Sequence, residues 1–127
     1  MIPMNTNGLY AFYGTLRKGM ENYASFQHEM HYIKTVALEG YKLISLIEYP
    51  YAVKTFDPAE TIIAELFRLE SFTANSIHNM ELEAGYYYDE IKIDQNLYGI
   101  YLFSKINPHD EEIPSGDWAK YVAERGF

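Results

Sequence analysis

The spacing of apolar residues changes character twice within one stretch of this chain, and that change constrains its fold more than any other feature. TIIAELFRL at 61–69 reads as a strand, because its length and β-branched start favour a sheet. After Ser71 the residues Ala74, Ile77, Met80, Glu81 and Ala84 recur three and four positions apart, which predicts a helix over about 73–84 closed by Gly85. YYYDEIKI at 86–93 then alternates, with Tyr87, Asp89, Ile91 and Ile93 on one face. Asp94, Gln95 and Asn96 turn it into LYGIYLF at 97–103, a predicted hairpin. Such a chain must pack both strands and helices around its core.

The remaining segments extend this pattern. LYAFY at 9–13 predicts a short strand that runs directly into the loop GTLRKG. NYASFQHEMH at 22–31 fits a helix capped by Asn22, with Tyr23, Phe26 and Met30 near one face. IKTVALEGYKLISL at 33–46 reads as β structure broken or bulged at Gly40, and Pro50 marks a bend or edge position. Residues 51–56 read as extended and 57–60 as a turn. After Pro108, the acidic run 110–112 and Pro114, the residues Trp118, Tyr121 and Val122 suggest a short C-terminal helix docked on the body. With 127 residues and no linker, repeat or low-complexity tract, the expectation is one domain spanning 1–127.

Composition removes whole classes of chemistry. The absence of cysteine excludes disulfides and thiolate nucleophiles, and histidines at 28, 31, 78 and 109 lack the spacing of a zinc site. No metal or other cofactor is expected. Eighteen acidic against ten basic side chains, a net charge of -8 with no basic cluster, argue against a nucleic-acid partner. MIPMNTNGLY has neither the basic nor the apolar region of a signal peptide, and no run is long enough to span a membrane. A cytoplasmic protein, monomer or homodimer, is the expectation.

Two carboxylates compete for a chemical role. Glu81 falls four residues after Ile77 and seven after Ala74, so it sits on the apolar stripe of its helix. If that stripe is buried, the carboxyl loses solvation, its pKa rises, and it suits acid–base work near neutrality; at the stripe's edge it would simply reach solvent. Glu65 shares a strand face with Ile63, Phe67 and Leu69, so it is expected to point inward, as a pocket-lining, structural or catalytic group. The loop YGTLRKG at 13–19 supplies backbone N–H groups in a glycine-bearing turn that can converge on an anion, with Arg17 and Lys18 nearby. It matches neither a Walker loop nor a dinucleotide fingerprint.

That loop resembles the signature of the gamma-glutamylcyclotransferase-like family, which includes gamma-glutamylamine cyclotransferases and AIG2-like proteins. GYKLISLIEYPYAV at 40–53 is similar to the family's glycine-led strand and tyrosine–proline segment, and IIAELFRL at 62–69 to its Gly-Glu strand, here Ala64-Glu65. IHNME at 77–81 resembles the helix that usually reads Leu-Asp-x-x-Glu, and SGDW at 115–118 a frequent ending. The resemblance implies an α+β fold, a small mixed β-barrel-like sheet with short helices. It makes Glu81 the catalytic acid–base residue and Tyr13, Gly14, Thr15 and Leu16 the loop that cradles a gamma-glutamyl substrate, with Arg17, Glu65, Tyr88 and Tyr101 around it. The implied reaction releases 5-oxoproline and a free amine without a cofactor. Three positions depart from the pattern: His78 for the usual Asp, Ala64 for Gly, and Tyr88 where many members carry Arg. Tyr88 and the abundance of tyrosine motivate an alternative, a non-catalytic module that binds a small metabolite in the same cavity.

Overall fold

The computed structural model describes residues 7–126. Strand β1 (Leu9–Phe12) is buried at every position, because both of its faces meet apolar side chains. Leu9, Ala11 and Tyr13 enter one core cluster, while Tyr10 and Phe12 enter another. Strand β5 (Thr61–Leu69) runs antiparallel beside β1 and divides the same way. Ile62, Ala64 and Leu66 join the first cluster, Phe67 and Leu69 the second.

Among the described residues these strands lie inside a five-stranded sheet ordered β2–β5–β1–β7–β6. Its other members are β2 (Met30–Glu39), β6 (Tyr87–Ile93) and β7 (Asn96–Leu102). β1 and β7 pair in parallel and the other neighbours are antiparallel. A second, antiparallel sheet joins β4 (Pro50–Lys54), β3 (Tyr41–Ser45) and β8 (Glu111–Ile113), and its Leu43, Ala52 and Ile113 complete the first cluster. The N–H of Phe103 donates to the Ala52 carbonyl at 3.0 Å, which ties the end of β7 to β4. An ion pair between Lys34 and Asp94 links edge strand β2 to the β6–β7 turn at the other edge. The result is the barrel-like α+β fold that the resemblance implied.

Helix α2 (Ser71–Glu83) buries Thr73, Ala74, Ile77 and His78, two of them on the second cluster. The expected stripe ran on through Met80, Glu81 and Ala84. Instead Met80 and Glu81 are only half-buried and Ala84 is exposed, because a cavity opens beneath that end of the helix. Gly85, at φ +100°, follows the helix in the left-handed conformation that a glycine adopts without steric cost. The hairpin forms as expected. Ile93 pairs with Asn96, leaving Asp94 and Gln95 at φ +49° and +70° as a two-residue turn of the type that matches strand twist. Helix α3 (Trp118–Arg125) docks Trp118 and Tyr121 into the first cluster.

Other expectations are corrected. The helix expected at 22–31 shrinks to α1 (Tyr23–Phe26) and a 3-10 turn over Gln27–Glu29, neither of which buries a residue. Met30 instead starts β2, paired with Leu69, since ten residues of sheet pairing outweigh one marginal turn of helix. Asn22 does not cap α1; its amide donates to the Thr15 hydroxyl at 2.8 Å. Gly40 does break the β structure as expected, between β2 and β3, and a further irregularity lies between Tyr32 and Lys34. Part of the acidic run forms β8, where Glu111 and Glu112 sit exposed on an outer strand, as edge charges commonly do. Residues 1–6, part of the N-terminus read for targeting, lie outside the described residues.

Candidate active site

The loop after β1 is held from behind. Glu65 is 6% exposed, and both of its oxygens are engaged: Oε2 accepts from Arg17 Nε at 3.0 Å and Oε1 from the Lys18 backbone N–H at 2.7 Å. Arg17 also donates through a terminal nitrogen to Asp117 at 2.8 Å, and Asp117 caps α3 by accepting from the Lys120 N–H. Burial alone would raise the Asp117 carboxyl, but the hydrogen bonds from Arg17 and Lys120 hold it below its usual range. Arg17 and Glu65, expected around the substrate, therefore clamp the loop onto β5 and α3 and do not line the cavity.

What the clamp presents is a cavity of about 200 Å³ among β1, the loop, the end of α2 and the segment before β4. Tyr13, Gly14, Thr15 and Leu16 line it together with Glu81, Tyr86, Tyr101 and Pro50. The Gly14 carbonyl accepts from the Arg17 N–H, and the Thr15 carbonyl from the N–H groups of Asn22 and Tyr23, each at 3.0 Å. In a trans peptide the C=O and the following N–H point in opposite directions. With both carbonyls drawn back into the loop, the N–H groups of Thr15 and Leu16 are turned the other way. Gly14 is sterically required, for a Cβ there would lie 2.8 Å from Pro50 Cγ.

Glu81 closes the far side. Its side chain has no hydrogen bond or ion pair among the described residues, and burial lifts its carboxyl from 4.5 to about 7. Arg17, a cation on the cavity-lining loop, is committed to Glu65 and Asp117. Glu81 is thus poised to accept and return a proton near neutrality.

The tyrosines shape the wall more than they serve the cavity as donors. Tyr13 spends its hydroxyl proton on the Tyr101 carbonyl at 2.5 Å and accepts from the Ala52 N–H at 3.1 Å. Tyr86 donates to the Pro50 carbonyl at 2.5 Å. Burial, reinforced by the Glu81 charge, keeps Tyr13, Tyr86 and Tyr101 un-ionised by pushing their pKa values upward. Tyr101 is the exception: its hydroxyl lies 2.8 Å from His78 Nδ1 and is bound to no other side chain. Tyr88 does not line the cavity; its ring packs edge-on against His78 and Tyr101 at 5.8 and 5.6 Å between centroids.

Sequence reasoning did not mark Tyr86, Pro50 or Asn22 as cavity residues. Tyr86 and Pro50 come from segments remote from the loop in sequence, and their mutual hydrogen bond is a tertiary fact without a local signal. A further hollow of about 440 Å³ meets the loop at Thr15 and is lined by Glu21, Ile47, Glu48 and Trp118 among others. Among the described residues no three His, Asp or Glu side chains converge as a metal ion would require. None of their helices is long and apolar enough to cross a membrane.

The cavity thus brings an unpaired carboxyl of raised pKa together with the glycine-bearing loop in a small α+β fold, an arrangement able to exchange protons with a bound small molecule. The family model for gamma-glutamyl cyclotransferase, AIG2-like, matches residues 10–120, and the chain belongs to that family. Its family and fold are those of a gamma-glutamylcyclotransferase-like enzyme. An uncharacterised protein of Pyrococcus horikoshii superposes with a TM-score of 0.78 at 25% identity, covering 93% of this chain and 95% of that one. A uropathogenic E. coli-specific protein matches at 0.75 and 22% identity over 91% and 95% of the two chains. The protein ytfP of Escherichia coli matches at 0.72 and 23% identity over 89% and 97%. Searching functionally curated proteins gives no significant match.

Proposed function

We propose that this protein is a gamma-glutamyl (amine) cyclotransferase, acting on a small molecule with a free α-amine and an amide at its γ-carbonyl. The carrying observation is Glu81, an unpaired carboxyl lifted to about 7 in the cavity that the Tyr13–Leu16 loop lines. The substrate nitrogen attacks its own γ-carbonyl carbon, a five-membered ring closes, and the bond to the departing amine breaks. Because nucleophile and electrophile belong to one molecule, holding the chain folded supplies much of the rate.

Glu81 takes a proton from the α-ammonium and delivers it to the leaving nitrogen, and the second proton, shed by the attacking nitrogen as the ring closes, leaves on the released amine, giving 5-oxoproline and a protonated amine. The N–H groups of Thr15 and Leu16 stabilise the oxyanion of the tetrahedral intermediate. Tyr88, which motivated a non-catalytic binding reading, packs in the wall behind Tyr101, and nothing else in the site favours that reading. The test is 5-oxoproline release from a panel of gamma-glutamyl amines and dipeptides by wild type and Glu81→Gln. The variant should fold and lose about 10²–10⁴-fold in rate. Equal release by both proteins would refute the assignment.

A further inference from the structure

Helix α2 carries a second functional-looking group one turn before Glu81. His78 is 1% exposed, and burial lowers its pKa, so the imidazole is neutral and carries a single proton. Two tautomers are available. Nδ1 lies 2.8 Å from the Tyr101 hydroxyl oxygen, whereas Nε2 is sealed from solvent with no hydrogen-bond partner among the described residues.

The tautomers differ in what they leave unmet. A proton on Nε2 would bury a donor that reaches nothing. A proton on Nδ1 makes the 2.8 Å contact an N–H···O bond, leaves Nε2 only an unused lone pair, and turns the Tyr101 proton away from His78 toward the cavity that Tyr101 lines. Orphaned buried N–H groups are the rarer and costlier defect, so the second arrangement prevails. The direction of that bond has a consequence for Tyr101. A phenolic proton lies near its ring plane and has two orientations; when Nδ1–H occupies one side of the oxygen, the proton must take the other.

We propose that His78 is a positioning residue: by donating Nδ1–H to the Tyr101 hydroxyl, it locks that hydroxyl as a hydrogen-bond donor to a ligand acceptor in the Glu81 cavity. Of the four lining tyrosines Tyr49 is exposed, and Tyr13 and Tyr86 have already given their protons to backbone carbonyls, so Tyr101 is the buried one whose proton such a lock frees. Tyr88, with its edge against both rings, holds the pair in register, and Tyr10 stacks on Tyr101 from another side at 6.4 Å. The donor serves the ligand of the cyclotransferase reading and in that part rests on it; the tautomer does not.

Two measurements test the lock. In the first, side-chain ¹⁵N–¹H correlation spectra of the wild-type protein at neutral pH, with His78 assigned by the spectrum of His78→Asn, identify the protonated nitrogen. Nδ1–H is expected, and Nε2–H overturns the proposal whether or not the protein turns anything over. In the second, 5-oxoproline release is followed for His78→Leu, Tyr101→Phe, the double variant and His78→Asn, whose amide can replace the Nδ1 donor. Each of the first two should lose about tenfold in kcat/KM, the double variant no more than either alone, and His78→Asn should recover most of the rate. Additive losses would show His78 acting through packing and overturn the proposal. If His78→Leu does not fold, the tautomer decides. Absence of turnover by a wild type that shows Nδ1–H would count against the cyclotransferase reading and leave the lock supported.

Discussion

Glu81 is costly to the fold for the same reason that it suits catalysis. With the folded pKa at about 7 and the unfolded value near 4.5, the folded chain retains a proton between those limits that the unfolded chain has lost. Stability from this group therefore falls as pH rises from about 4.5 to 7 and is level above. Glu81→Gln escapes that loss. It should match wild type near pH 4 and exceed it by on the order of 3 kcal/mol at pH 8, measured by urea unfolding at both pH values. An advantage that shrank with pH would contradict the assigned pKa. Activity runs the opposite way: the reaction needs the carboxylate first, so kcat/KM should rise tenfold per pH unit below about 7 and flatten above it.

At the scale of elements, the loop and the hairpin show two ways in which a few residues set geometry. The loop keeps its shape through the Glu65–Arg17–Asp117 chain, which joins β5, the loop and the start of α3. Replacing Glu65 with Gln leaves Arg17 buried with one partner fewer. The variant should lose about 3–5 kcal/mol in chemical denaturation, and a loss within 0.5 kcal/mol would show the clamp to be incidental. The β6–β7 turn is the reverse case, since Gln95 holds φ +70° without the freedom of a glycine. Gln95→Gly should raise stability by about 1 kcal/mol, visible as a higher midpoint in thermal unfolding with activity unchanged.

At the scale of the molecule, two core clusters share β1 and β5, so neither packs without the other. Trp118, the sole tryptophan and 2% exposed, lies in the first cluster, whereas α2 rests on the second. Its fluorescence in urea should therefore shift at the same midpoint as the far-ultraviolet circular dichroism signal. Separate midpoints would mean that the clusters melt independently. The sequence by itself determined the parts whose cause is local. Length and a β-branched start placed β5, alternation placed the hairpin, the three-and-four spacing placed α2, and the odd carboxylate on that spacing made Glu81 one of two candidates, between which the family resemblance chose. Glycine after the helix and a polar pair between strands have backbone preferences that need no partner. Only the tertiary structure decided what depends on a partner distant in sequence. Met30 joined a strand because Leu69 was there to pair with it, and Arg17 and Glu65 became a clamp because their charges neutralise each other behind the loop. Tyr13 lost its free proton to a carbonyl 88 residues away. The orientation of the Tyr101 hydroxyl rests likewise on His78, whose side-chain hydrogen bond no periodicity records. Periodicity reports which face of an element avoids water, but a hydrogen bond's direction is set by the group that meets it once the chain has closed.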